Sequence, residues 1–190
     1  MSKDLLDEIN RKLILLLEED PKLTDAALAR KLNLAQSTVA SRRDRLAKRE
    51  LVIPRVGLNA EEIGLQTGIV EITTTEPEMV LEWAKRCPLF INASKSIAGN
   101  RLSMFFVGED AEAFHDIIDG HLLKIDGVSD LHFFHVLRWE KGFFATLDLT
   151  IAPNSNPPCG KDPFCTKCPA NPAYSGSVWR GRIGTSSMRR

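Results

Sequence analysis

No stretch of this 190-residue chain stays apolar for the roughly 18 residues that a membrane-spanning helix needs. The opening residues, MSKDLLDEIN, are charged and lack the apolar centre of a signal peptide, so a cytoplasmic location with no membrane partner is expected. Net charge is absent as well: 25 Lys and Arg balance 25 Asp and Glu. Cysteine is scarce, with four in the chain. In a reducing compartment disulfides are rare, and clustered cysteines more often bind metal or do redox chemistry.

The zero net charge conceals a partition. Residues 1–60 hold 12 Lys and Arg against 9 Asp and Glu, residues 57–140 hold 6 against 14, and residues 141–190 hold 7 against 2. A basic head is suited to a polyanion, whereas the acidic middle is not. The length suits one medium domain or two small ones.

In the head, LLDEINRKLILLLEED repeats Leu5, Leu6, Ile9, Leu13, Leu16 and Leu17 at helical spacing, and Pro21 closes the helix. Thr24 is placed to cap a second helix, with Asp25 in its first turn and Ala27, Leu28 and Leu32 on its buried side. Asn33 then suits a left-handed turn. A third helix is expected from about Gln36 to Arg49, with Val39 and Leu46 as core contacts. Its early turns carry Gln36, Ser37, Thr38 and Ser41, followed by Arg42, Arg43, Arg45, Lys48 and Arg49. Short polar side chains opening a third helix, with cations behind them, form the layout of a major-groove reader. The candidate contacts to double-stranded DNA are Gln36, Ser37, Thr38, Ser41, Arg42, Arg43, Arg45 and Lys48. The extended character of LVIPRVGLN (51–59) suggests a wing or linker strand.

The segment LDEINRKLILLLEED…LTDAALARKLNLAQSTVASRRDRLAKRELVI resembles the winged helix-turn-helix of the Lrp/AsnC (feast/famine) transcription regulators. Three positions depart from the family pattern. Ala35 stands where members usually carry a capping Ser, Arg43 replaces a valine-like residue, and Glu50 replaces a glycine.

From residue 67 the period changes. TGIVEITTT alternates as a strand, and EPEMVLEWAKRC places Val80, Trp83, Ala84 and Cys87 along one side of a helix. FINASKSIAGNRLSMFFVGED suggests two strands turning at Gly99-Asn100, with Leu102, Met104 and Phe106 on one face. DAEAFHDIIDGHLLK is helical, and GVSDLHFFHVLRW supplies a last strand. The order strand-helix-strand-strand-helix-strand is the ferredoxin-like split βαβ plan. It agrees with the dimerising, effector-binding domain that follows the head in Lrp/AsnC regulators, so the resemblance covers residues 1–139. It implies a homodimer or an octamer. It also implies an effector site at the hairpin, at Gly99, Asn100 and Ser103. Amino-acid-responsive members have G-x-x-D there, whereas this chain has GNRLSM with Ser103 in the acidic place. An amino-acid ammonium group would lose its carboxylate partner, and the effector is left unassigned. His132 and His135 are spaced so that a strand would point them to opposite faces.

Beyond residue 139 the chain continues past the family pattern. EKGFFATLDLTIAPNS (140–155) suggests one further strand containing Leu147, Leu149 and Ile151. PPCGKDPFCTKCPANP then spaces Cys159, Cys165 and Cys168 as C-x5-C-x2-C. A C-x2-C pair on a turn can bring two thiolates to one ion, and Pro169 directly after the last cysteine recurs in ferredoxin-type ligand runs. A [4Fe–4S] cluster or zinc is expected on Cys159, Cys165 and Cys168, with a dithiol switch at Cys165–Cys168 as the alternative. The loop's lack of apolar mass suggests that metal orders it. The fourth ligand is open; Cys87 fits a buried helix position. Tyr174 and Trp179 are placed to pin the tail, and Arg180, Arg182, Arg189 and Arg190 follow.

The sequence therefore describes an α+β protein: a winged helix-turn-helix (1–56), a linker (57–66), a ferredoxin-like βαββαβ (RAM-type) sandwich (67–139) and a cysteine-rich C-terminal loop (140–190). A non-enzymatic, Lrp/AsnC-type DNA-binding regulator responding to redox or metal state is expected. The rivals are a tetrapyrrole enzyme like the sirohaem decarboxylases, contacting its ligand through His115, His121, His132 or His135, and an architectural DNA-binding protein with a structural zinc.

Overall fold

Asp7 starts the first helix by accepting the Asn10 backbone N–H at 2.7 Å, which satisfies one of the donors every helix leaves open at its N-terminus. In the computed structural model, residues 3–53, 56–160 and 163–180 are described. They fall into two units, Met1–Val56 and Gly57–Arg190.

The first unit has three helices, α1 (Glu8–Glu19), α2 (Asp25–Leu32) and α3 (Gln36–Lys48). Leu5 and Leu6 precede α1 in a short 3-10 turn, because the Asp7 cap sets the helix start after them. Thr24 caps α2 by accepting from the Ala27 N–H at 3.2 Å, and Asn33 ends it with a left-handed φ of 53°. Leu13, Leu17, Leu28, Ala29, Val39 and Leu46 make the core between the helices, each large aliphatic among them contributing about 1.5–3 kcal/mol by burial. Ala35 precedes α3 without any side-chain cap.

The second unit contains β1 (Leu58–Asn59), β2 (Gln66–Thr74), α4 (Pro77–Ala84), β3 (Phe90–Lys95), β4 (Arg101–Gly108), α5 (Ala111–Ile118), β5 (Val128–Val136), β6 (Phe144–Ala145) and α6 (Ser177–Arg180). Its main sheet has the order β3-β4-β2-β5 with every pair antiparallel, the ferredoxin-like arrangement that a split βαβ produces. Val70, Ile72, Leu102, Met104 and Phe106 pack with Val80, Trp83, Phe114 and Ile117 of the two main helices. Gly68 is required at its place: a Cβ there would stand 2.8 Å from the rings of Phe114 and Phe133.

Three expectations are corrected. Residues 57–66 are no free linker: β1 pairs with β6, and Ala60 and Leu65 are buried in the second unit's core. That pairing takes Leu58 and Asn59 out of any wing on the first unit, and Pro54 and Arg55 lie outside the described residues. The strand expected around Leu147, Leu149 and Ile151 is replaced by irregular chain after the two-residue β6; Leu147 and Ile151 pack on the core without a strand partner. The hairpin turn is four residues long, Ile97 to Asn100, closed by the Ser96 N–H donating to the Arg101 carbonyl at 2.9 Å.

The tail packs on the second unit. Cys168, Ala170, Tyr174 and Trp179 are buried, and Tyr174 and Trp179 join the sandwich core. Trp179 Nε1 donates to the Asp148 carbonyl at 3.0 Å. Arg180 Nη2 donates to the Asn171 carbonyl at 2.8 Å, and its guanidinium lies 5.6 Å from the Tyr174 ring centre. Arg182, Arg189 and Arg190 lie outside the described residues.

Candidate nucleic-acid interface and cysteine cavity

Helix α3 offers its polar face outward. Gln36, Ser37, Thr38, Ser41, Arg45 and Lys48 are exposed. Ser37, Thr38, Ser41, Arg42 and Arg45 line one shallow open depression, while Gln36 borders a second with Arg30 and Asn33. Lys48 is paired with Asp44 at 2.7 Å, which raises its pKa.

Two of the candidate cations have structural partners that the sequence did not reveal. Arg42 Nη1 donates to Asp7 Oδ2 at 2.6 Å and to Asn10 Oδ1 at 2.9 Å, and the Arg42 hydrogen bond holds the Asp7 carboxyl below its ordinary pKa. Arg43 Nη1 donates to Asp25 Oδ1 at 3.0 Å. Both guanidinium groups tie α3 to the starts of other helices, so Arg45 is the more exposed arginine on the polar face.

The proposed effector positions separate. Gly99 and Asn100 line an open depression with Thr73, Thr74 and Thr75, and Gly99 has a φ of +84° that favours glycine. Ser103 instead sits within β4, where its hydroxyl donates to Glu71 Oε1 at 3.2 Å across the strands. Ser103 and the hairpin tip therefore do not form one pocket.

All four cysteines line a single enclosed cavity beside α5, together with His121. Cys87 enters from the turn after α4, and Cys159, Cys165 and Cys168 from the tail. None is in a disulfide. His121, buried, places Nε2 2.8 Å from Cys165 Sγ. Asp116 Oδ2 accepts from Thr166 Oγ1 at 2.9 Å and from the Lys167 N–H at 3.1 Å. Lys167 Nζ in turn meets Asp110 at 2.7 Å and Glu112 at 3.0 Å. These bonds clamp the C-x2-C turn onto α5. Burial pushes the Cys165 thiol up to about 12, with the nearby Asp116 charge adding to the effect. Burial likewise raises Cys87 and Cys168. Among the described residues, no three His, Cys, Asp or Glu side chains close on one ion position.

Cys87 packs against the sandwich core, as its place in the helical pattern implies, and it also lines this cavity. Spacing carries no sign of it, because Cys87 lies far upstream of the other three. The histidines do not gather: His132 and His135 occupy opposite faces of β5, opposite Glu71 and Gly68 respectively, and His115 is exposed beside Asp119.

Residues 6–47 match the AsnC-type helix-turn-helix domain. Comparison with curated proteins returned no match. The solved structure of E. coli AsnC is 13% identical, with a TM-score of 0.63 over 71% of this chain and 94% of that one. LrpC of B. subtilis is 20% identical, with a TM-score of 0.59 over 70% and 96%. A transcriptional regulator from Neisseria meningitidis, solved as a complex with L-Met, is 21% identical, with a TM-score of 0.62 over 76% and 97%. The chain thus carries an AsnC-type helix-turn-helix domain at residues 6–47 and shares the α+β fold of these transcription regulators.

Proposed function

We propose that the protein is a DNA-binding transcription regulator of Lrp/AsnC type whose cysteine site reports redox or metal state. The observation that carries the DNA half is the outward face of α3, where Ser37, Thr38, Ser41 and Arg45 stand together on a helix fixed by the core residues Val39 and Leu46. Hydroxyls of that length reach base edges, and Arg45 supplies charge to a phosphate or a guanine. Arg42 and Arg43 act mainly by fixing α3 in its unit.

The sandwich serves as the pairing module. Phe105, Ile69 and Phe134 stand side by side across β4, β2 and β5, on the sheet face away from the helices, and Phe134 is 51% exposed. A second copy covering that face gives a homodimer that presents two reading helices. Higher assembly, such as an octamer, would build on that dimer. Gly99 and Asn100 border the effector depression of this reading.

Cys159, Cys165 and Cys168 hold a metal ion or cluster in the tail, and its loss alters how the clamped turn rests on α5. Coupling from there to the DNA heads is the regulatory part of the proposal. Selection of binding sites from random DNA, followed by titration of the selected duplex against metal-loaded and chelator-stripped protein, tests both halves. A selected consensus with at least a tenfold affinity difference between the two protein forms supports the full reading. Binding with no sequence preference would replace the regulator by an architectural protein. Equal affinity with and without metal would remove the sensing role.

A further inference from the structure

We propose that Cys87 is the fourth ligand of a [4Fe–4S] cluster held by Cys87, Cys159, Cys165 and Cys168. The proposal rests on the reading of the tail as a metal-responsive site, and adds the missing ligand and the kind of metal group. Every cysteine of the chain faces the same cavity, although one comes from the turn after α4 and three from the tail. Four thiols converging from two distant segments can ligate a cubane cluster, one thiolate to each iron.

The placing of the thiols around the cavity favours a cluster over a single zinc ion. The cavity among the cysteines, the histidine and the apolar side chains is small, about 10 Å³. Sulfur bound to zinc stands about 2.3 Å from the ion, with sulfurs in a tetrahedral set about 3.8 Å apart. Among the described residues no three His, Cys, Asp or Glu side chains close on a single-ion position, although all four cysteines line the one cavity. A cubane places an iron between its centre and each cysteine sulfur, and so takes thiols spread more widely than a single-ion site does.

The surroundings suit a cluster. Ile117, Leu89 and Phe164 line the wall and exclude water, which governs cluster potential and stability. His121 Nε2, 2.8 Å from Cys165 Sγ, stands where an N–H···S bond to a ligand sulfur would form, as a positioning residue. Asp116 fixes the turn between Cys165 and Cys168 from below. Each thiol gives up its proton to solvent as its S–Fe bond forms.

The test uses the full chain, purified without oxygen and reconstituted with ferric iron, sulfide and dithiothreitol. Wild type should carry about four irons and four sulfides per chain, with a broad thiolate-to-iron absorption and an electron paramagnetic resonance signal after dithionite reduction. Cys87→Ser and Cys87→Ala should lose at least roughly half of the iron and that signal, with circular dichroism melting used to select folded variants. Labelling of the unmutated chain with iodoacetamide in mild urea supplies a readout free of mutation: cluster loading should protect all four cysteines. Full iron content in a Cys87 variant, or labelling of Cys87 at the same rate with and without the cluster, overturns the assignment of Cys87 while leaving a tail site intact. Wild type that takes up no iron, or takes up one zinc instead, overturns the cluster. Metal-free wild type under every loading condition also removes the metal reading of the tail.

Discussion

Arg42 on α3 meets Asp7, the cap of α1, at 2.6 Å. One guanidinium thereby joins the helix offered to DNA to the residue that starts the first helix, and Asn10, buried in the same contact, accepts a second bond. The pair also makes the head sensitive to acid. The Asp7 pKa is lowered by the Arg42 hydrogen bond, so the unfolded state binds the extra proton at low pH and stability falls there. The contribution is complete above about pH 5 and lost as pH drops through the folded value, below about 4. Asp7→Asn keeps the cap and removes the charge. At neutral pH it should cost about 0.5 kcal/mol, the scale of a partly exposed pair, and flatten the acid dependence. Hydrogen exchange of the α1 amides from pH 3 to 7 measures both; an unchanged acid slope would contradict this role.

Arg45 and Arg42 should behave differently in DNA binding. Arg45→Ala should weaken the selected duplex and reduce the slope of log affinity against log salt by about 1, with the fold unchanged. Thr38→Ala should cost about 1–3 kcal/mol on the preferred sequence and relax discrimination at one position. Arg42→Ala should lower the stability of the first unit as well as affinity. Fluorescence anisotropy at several salt concentrations, beside hydrogen exchange, separates these effects.

Two departures from the family pattern leave stability to be gained. Ala35 precedes α3 without a side-chain acceptor, and Ala35→Ser should stabilise the helix by about 1 kcal/mol. Glu50 adopts a φ of +54°, a left-handed conformation that costs a residue with a Cβ about 1 kcal/mol. Glu50→Gly should recover most of it. Slower exchange of the α3 amides is the expected result for each, and additive gains are expected for the pair.

Phe134 should govern pairing. Replacing it by Asp puts a charge at the β5 end of the Phe105–Ile69–Phe134 row and, in the proposed dimer, should shift sedimentation toward monomer without changing helix content. A variant with the wild-type sedimentation coefficient would place the interface elsewhere.

Trp179 anchors the tail. It is 7% exposed within the sandwich core, and Trp179→Ala should destabilise the second unit by about 3 kcal/mol. Limited proteolysis should then cut between residues 150 and 180 before the rest of the unit. If the tail were a loose appendage, the variant would melt like wild type.

Local chemistry was legible where one segment contains the whole cause. Thr24 and Asn33 bound α2 because a hydroxyl cap and a left-handed Asn act within a few residues. Val39 and Leu46 follow helical period into the core, and the βαββαβ order follows from alternation and helix spacing. The exposed polar face of α3 comes from the same periodicity.

What the amino-acid order determined by itself is therefore the helix-turn-helix, the sandwich order and the local spacing of Cys159, Cys165 and Cys168. Only the tertiary structure decided that Arg42 and Arg43 are held by Asp7 and Asp25, that Leu58 pairs with Ala145, and that Cys87 faces the other three cysteines. Side-chain period records which face of an element is buried, whereas the partner met on that face depends on packing between segments far apart in the chain.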